Sequence, residues 1–158
     1  MKVEFINPFI EAAIEVLQSE IGGDVERGPL TLHKSAYTTQ EVTTLIGVTG
    51  AVRGIVLYGM AEKTAKALVS QMVGQVFTEL DDLAQSGIGE LGNVITGRAS
   101  ILLSENGFSS NIAPPILIVG AGTMISTLDI QRLVVPLKTA CGTIEVQVAL
   151  RNGQGRVG

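Results

Sequence analysis

An α+β domain, with a largely antiparallel sheet and helices packed on one face, is predicted by three features of the sequence. Apolar residues recur at helical spacing up to clear stop signals, from Ile10 to Ile21 before Gly22-Gly23 and from Ala65 to Met72 before Gly74. Near the C-terminus, Ile144, Val146, Val148 and Leu150 alternate with Glu145, Gln147, Ala149 and Arg151, the pattern of a strand with one buried and one wet face. Between the β-branched stretch Val42–Thr49 and Gly54–Tyr58 lie only Gly50 to Arg53, a connection too short for a parallel crossover, so the two form a β-hairpin. A chain of 158 residues that is 46% hydrophobic can bury one substantial core. We read residues 1–151 as a single domain and the polar, glycine-rich 152–158 as a flexible tail.

Taken in order, Asn7-Pro8 reads as an N-cap followed by proline at the first helical position, opening a helix that runs to Ile21. After the turn-rich Gly22 to Pro29, the segment Leu30 to Tyr37 predicts a strand, and the hairpin follows. A second helix begins at Ala61, with Glu62 and Lys66 one turn apart. Thr78 as N-cap, with Asp81 three residues on, predicts the start of a long third helix that stops at Asn106-Gly107. Pro114-Pro115 leads into Ile116–Val119, expected to be a short buried strand, and Pro136 restricts the strand Gln131–Thr139 to an edge or a bulge.

Composition closes off several function classes. A net charge of −4, no basic cluster, and an aromatic set of two tyrosines and four phenylalanines argue against nucleic acid. One histidine, His33 on a predicted surface strand, and one cysteine, Cys141 in a predicted turn, supply neither a metal ligand set nor an internal disulfide. The sequence has no apolar run of spanning length, and Met1 to Asn7 lack the basic-then-apolar order of a signal peptide, so no membrane role and a cytoplasmic location are expected. Val119-Gly120-Ala121-Gly122 lacks the third glycine of a dinucleotide-binding loop and reads as a strand connection.

The third helix carries the chemistry. At about 100° per residue, Ile88, Leu91, Ile95 and Leu102 share one face, and Ser86, Glu90, Asn93, Gly97 and Ser100 form a stripe on the other. Gly87, Gly89, Gly92 and Gly97 lie in its interior, where each costs roughly 1 kcal/mol relative to alanine. Something other than helix stability must favour them. Gly89 and Gly97 border the polar stripe and would let another protein's backbone approach Glu90 and Asn93, which project together as i,i+3 neighbours. A carboxylate can pair with a lysine, and a carboxamide can accept from and donate to one water molecule. The first helix faintly echoes this spacing in Asn7, Glu11 and Ile14, with an apolar residue in the last place.

Ser86-x3-Glu90-x2-Asn93, followed by Pro114-Pro115, resembles the signature of the CheC/CheX response-regulator phosphatases. Ile88 to Asn93 with Gly97, and Ile46-Gly47-Val48-Thr49-Gly50 before Gly54, extend the resemblance from about Asn7 to Leu150. Because Ile14 stands where a first copy would need asparagine, the single-site CheX pattern fits better than the two-site CheC one. The resemblance implies a CheC/CheX-like fold and removal of the phosphoryl group from the aspartyl phosphate of a receiver such as CheY. It implies that Asn93 orients the attacking water, that Glu90 pairs with the receiver's lysine, and that Ser86 supports them. Pro114 and Pro115 would hold the loop beside the motif helix. The chain would need no cofactor of its own, since Mg²⁺ would belong to the receiver, and a homodimer through sheet edges is implied too. The alternative is a non-catalytic receiver-binding adaptor or flagellar-switch-like component that keeps this surface for docking.

Overall fold

The computed structural model describes residues 3–33, 36–126 and 130–153. In chain order the elements are α1 (Val3–Ile21), β1 (Glu26–Arg27), β2 (Thr31–His33), β3 (Ala36–Thr38), β4 (Val42–Gly50), β5 (Val52–Met60), α2 (Glu62–Val73), α3 (Asp82–Glu105), β6 (Ser110–Ile112), β7 (Ile116–Val119), β8 (Met124–Ser126), β9 (Arg132–Thr139) and β10 (Gly142–Asn152). The alternation read in the last strand organises the sheet. β10 lies between β9 and β5, and its Ile144, Val146, Val148 and Leu150 join Val56, Tyr58 and Met60 of β5 and Leu133, Val135 and Leu137 of β9 in one core against the three helices. Among the described residues every pairing is antiparallel. The order is β1–β9–β10–β5–β4–β6, with β2 also on β9 and β7 also on β4, while β3 and β8 form a separate two-stranded sheet.

The α+β class, the hairpin and three helices are as the sequence predicts, and the differences have local causes. The first helix starts at Val3, so Asn7 is not its cap and Pro8 lies inside it. Phe5 and Ile6, both buried, continue the apolar face by another turn, and Phe5 meets Phe108 edge-on with ring centroids 5.1 Å apart. That packing offsets the helix bond which Pro8 has no N–H to make. The predicted strand Leu30–Tyr37 is two strands, β2 on the main sheet and β3 on β8, with residues 34–35 outside the described set.

β2 stops where β9 does, with His33 opposite Arg132, and Pro136 marks the earlier break between β1 and β2. It sits in β9 between the part paired with β1 and the part paired with β2, where no ladder N–H is needed, and its carbonyl accepts from Gly28 N–H at 2.8 Å. At the opposite edge, Ile116–Val119 is not a buried strand: β7 pairs with β4 alone and leaves Ile116 58% exposed. An apolar run of four residues does not by itself tell an edge from a centre. The glycines 120 and 122 do make a strand connection, tied down by Gly120 N–H to the Glu41 carbonyl and Gly122 N–H to the Thr39 carbonyl. β10 runs on through Asn152, and Gly153 N–H bonds the Ala51 carbonyl at 2.8 Å; residues 154–158 lie outside the described set.

Helix α3 lies close against the sheet at Gly92. A Cβ there would stand 2.9 Å from Thr44 Cγ2 and 3.3 Å from Tyr58 Cδ2. One turn later, the buried Thr96 hydroxyl donates to the Gly92 carbonyl and accepts from the Tyr58 hydroxyl, both at 2.7 Å. Gly92→Ala is therefore expected to lower the free energy of unfolding by about 1–3 kcal/mol through overpacking, although alanine is the better helix former; urea denaturation would show it. Burial raises the pKa of the Tyr58 hydroxyl well above its ordinary value. The folded chain thus keeps a proton that the unfolded chain releases above about pH 10, so this contribution to stability is intact below that pH and lost as pH rises beyond it. Urea midpoints measured from pH 8 to 11 should fall more steeply for the parent than for Tyr58→Phe.

Candidate active site

Both ends of α3 are fixed by its own sequence. Its N-cap is Asp81 rather than Thr78: the Asp81 carboxylate accepts from Ala84 N–H at 2.9 Å, and Thr78 lies outside the helix, its carbonyl facing Lys66 Nζ at 3.4 Å. A carboxylate at the cap also suits the positive end of the helix dipole, which favours Asp81 over a hydroxyl three residues earlier. At the other end, Gly107 at φ +92° lets Gly107 N–H reach the Ser104 carbonyl and Phe108 N–H the Leu103 carbonyl, the paired bonds of a Schellman stop. Between these ends Ile88, Leu91 and Ile95 are buried as predicted; Leu103 is fully buried, and Leu102 only half-buried at the rim.

The four interior glycines divide into two kinds. Gly92 is required by the sheet, and a Cβ on Gly87 would lie 3.0 Å from Val69 Cγ1, so Gly87 serves the packing of α3 on α2. Gly89 is different, since a Cβ there would meet only Pro115 Cγ at 3.9 Å, an ordinary contact, and at Gly97 it would meet nothing within 4 Å. Internal packing explains the first pair and leaves the two that border the polar stripe unexplained.

The stripe itself opens outward. Ser86 and Glu90 are exposed and Asn93 is half-buried, and no hydrogen bond or ion pair engages the side chain of Glu90 or Asn93 among the described residues. Ser100 departs from the stripe, because its hydroxyl lies 3.1 Å from that of Ser110 and ties α3 to β6. Pro114-Pro115 occupy a bulge in the sheet edge. Ile112 pairs with Val48 but Ile116 with Leu45, so one extra residue is accommodated exactly where proline cannot join a ladder. The bulge brings Pro115 over Gly89. An open groove of about 420 Å³ results, lined by Gln85, Ser86, Gly89, Glu90, Pro115 and Leu117. Of the predicted residues, Ser86, Gly89, Glu90 and Pro115 meet at this groove. Asn93 sits on the same stripe beyond its lining, Gly97 further along, and Pro114 is exposed at the bulge.

Sequence reasoning missed Gln85, whose amide is anchored on the Leu80 carbonyl at 2.9 Å, and Leu117. It also missed an apolar ribbon on the outer side of α3, formed by the exposed Leu83, Val94 and Ile101 alongside Glu90 and Gly97. Spacings of seven and eleven residues between exposed leucine, valine and isoleucine would have shown it. Among the described residues no group of three or more His, Cys, Asp or Glu side chains could hold a metal, and no helix is long and apolar enough to cross a membrane. Cys141, half-buried in the β9–β10 turn, has its thiol pKa pushed up by that burial.

A carboxylate and a carboxamide thus stand on an open helical face of an antiparallel α+β domain. The family model for the chemotaxis phosphatase CheX matches residues 42–138, which include the whole stripe and both prolines. The chain belongs to that family. It is 29% identical over 131 residues to the CheY-P phosphatase CheX of Thermotoga maritima, covering 82% of this chain and 84% of the relative. A CheC-like superfamily protein from Shewanella sp. PV-4 superposes with a TM-score of 0.86 at 28% identity, covering 96% of this chain and all of the other. CheX in the CheX–CheY–BeF3–Mg²⁺ complex from Borrelia burgdorferi gives 0.82 at 28% identity, again covering 96% and 100%.

Since no internal contact requires glycine at position 97, Gly97→Ala should raise the free energy of unfolding by about 0.5–1 kcal/mol in urea titrations. Gly97→Leu should likewise leave the fold intact, its side chain projecting beside Asn93 without meeting the core, so its circular dichroism spectrum should match the parent's.

Proposed function

We propose that this chain hydrolyses the phosphoaspartate of a CheY-like receiver domain. The observation that carries the reading is that Glu90 and Asn93 stand on one outward stripe without internal partners, in a member of a chemotaxis phosphatase family whose relative from Borrelia burgdorferi is found with CheY. In the reaction the oxygen of a water molecule bonds to phosphorus, the bond from phosphorus to the aspartyl oxygen breaks, and carboxylate and inorganic phosphate leave. The Asn93 amide accepts a hydrogen bond from that water and donates one toward the phosphoryl oxygens, aligning attack in line with the leaving group. An amide is no base at neutral pH. The loose transition state of phosphoryl transfer asks for alignment and charge neutralisation more than for proton abstraction.

Glu90 pairs with a lysine beside the receiver's phosphorylation site and so fixes the register of Asn93 within it. Magnesium belongs to the receiver, as the CheX–CheY–BeF3–Mg²⁺ assembly of the relative supports, and this chain contributes no ligand to it. Ser86, Gly89 and Pro115 shape the groove beside Glu90, and Leu83, Val94 and Ile101 add apolar contact area for the docked receiver. The same reading includes a homodimer through a sheet edge. The outermost strands β2 and β7 are paired on one side only and expose Leu32 and Ile116.

The test is turnover. Substoichiometric protein should dephosphorylate many equivalents of phosphorylated receiver, whereas an adaptor would bind without turnover. Asn93→Ala should lower kcat by about 10²-fold or more while receiver binding persists. Glu90→Ala should act chiefly on KM, and a charge-reversed Glu90→Lys should abolish binding at low salt. Full activity of a well-folded Asn93→Ala protein would rule out the mechanism.

A further inference from the structure

The sheet face away from the helices carries an unbalanced charge. Arg53 of β5 and Arg151 of β10 are directly opposite in register. Their neighbours Val52 and Leu150 point into the helix-facing core, so strand alternation sends both arginines to the other side. Like charges at facing positions of an antiparallel pair repel each other. Yet both side chains are exposed, and neither makes a hydrogen bond or ion pair among the described residues, in a chain whose acidic residues outnumber its basic ones 15 to 11. The two arginines flank a hollow of about 270 Å³, completed by Val48, Thr49, Gly54 and Ile130, and among the described residues no carboxylate lines it.

The hollow is built as well as charged. Thr49 continues the row beyond Arg53, because Val48 pairs with Gly54, and its hydroxyl adds a third donor on the same face. The stem of Arg53 is held in place by the backbone of Gly153: a Cβ on that glycine would stand 3.0 Å from Arg53 Cδ, and Gly153 is itself bonded to Ala51. Gly54, at φ +146°, brings β5 so close to β10 that a side chain there would run into the Ala149 carbonyl. The two strands, and with them the facing backbone positions of Arg53 and Arg151, are thus kept close together.

We propose that this hollow binds a small tetrahedral dianion of the phosphate type. Two guanidinium forks offer parallel pairs of N–H donors that match phosphate oxygens, and the Thr49 hydroxyl supplies a further donor. A monocarboxylate could satisfy only one fork and neutralise only one charge. Bound phosphate removes the Arg53–Arg151 repulsion, while Ile130 walls one side of the site against water. The site lies across the sheet from Glu90 and Asn93, so it stands whether or not the phosphatase reading does.

The experiment is calorimetric titration and thermal unfolding of the full chain with inorganic phosphate, ionic strength being held constant with chloride. Phosphate at about five times its Kd should raise Tm by about 2–4 °C. Arg53→Gln and Arg151→Gln should each lose that rise, and in phosphate-free, low-salt buffer each should be at least as stable as the parent because the repulsion is relieved. Arg98→Gln, at an arginine paired instead with Glu15 at 3.2 Å, should keep the rise. A parallel series with glycerol phosphate separates a free anion from a phosphoryl group carried on a larger molecule, since only the latter source needs the monoester to match inorganic phosphate. No phosphate-specific rise, an equal rise with acetate, or a rise that survives in both arginine variants would overturn the proposal.

Discussion

The contact between Gly92 and the sheet fixes the rest of the molecule's working geometry. A helix lying on a sheet can roll about its own axis until something stops it, and here the stop is steric and polar together. The missing side chain at Gly92 lets the α3 backbone settle on Thr44 and Tyr58, and the chain from the Tyr58 hydroxyl to Thr96 to the Gly92 carbonyl locks that depth from within the core. Unpairing those hydroxyls in a dry interior would be costly, so rolling the helix is disfavoured as strongly as lifting it. With Gly92 facing the sheet, Asn93 lies about 100° round the helix and Glu90 about 160° round in the same direction. A glycine in the core thereby sets the direction of two side chains on the surface.

The same constraint shows which parts of the fold could be read from sequence. Alternation in β10, the hairpin of β4 and β5, the stops at Gly74 and Asn106-Gly107, and the stripe Ser86–Glu90–Asn93 are local patterns, and local physics decides them. Two misreadings fall where a distant contact overrides a local signal, and a third where two local signals compete. Asn7-Pro8 has the form of a helix start, but Phe108, over a hundred residues away, holds Phe5 and carries the helix back to Val3. Leu30–Tyr37 has the composition of one strand, but β9 begins at Arg132, opposite His33, and β3 beyond that point pairs with β8 instead. Thr78 and Asp81 are both good caps on paper, and the carboxylate at the dipole prevails.

The glycines of α3 mark the limit most clearly. In sequence the four are equivalent losses of helix stability, and only coordinates separate Gly87 and Gly92, which α2 and the sheet require, from Gly89 and Gly97, which nothing inside the chain requires. The pair of prolines was legible as a loop beside the motif. That it forms a one-residue bulge placing Pro115 against Gly89 was not, because register across β4 is a tertiary property.

These features bear on how a domain with no metal site among its described residues can serve phosphoryl transfer. If the partner brings the phosphoryl group, the cation and the leaving group, what this chain must add is alignment, and alignment tolerates little play: an error of about 1 Å can cost 10²-fold in rate. A surface loop could carry the same two side chains but not hold them to that tolerance. Here they ride on a 24-residue helix capped at both ends, seated on the sheet through Gly92, packed on α2 through Gly87 and cross-linked to α1 by Arg98 and Glu15. The stability given up at four glycines falls into two uses. Two let the helix sit close on its neighbours, and two leave its outer face low around Glu90 and Asn93. Rigidity below and clearance above are opposite demands on one helix, and glycine meets both because it lacks the atom that would obstruct either.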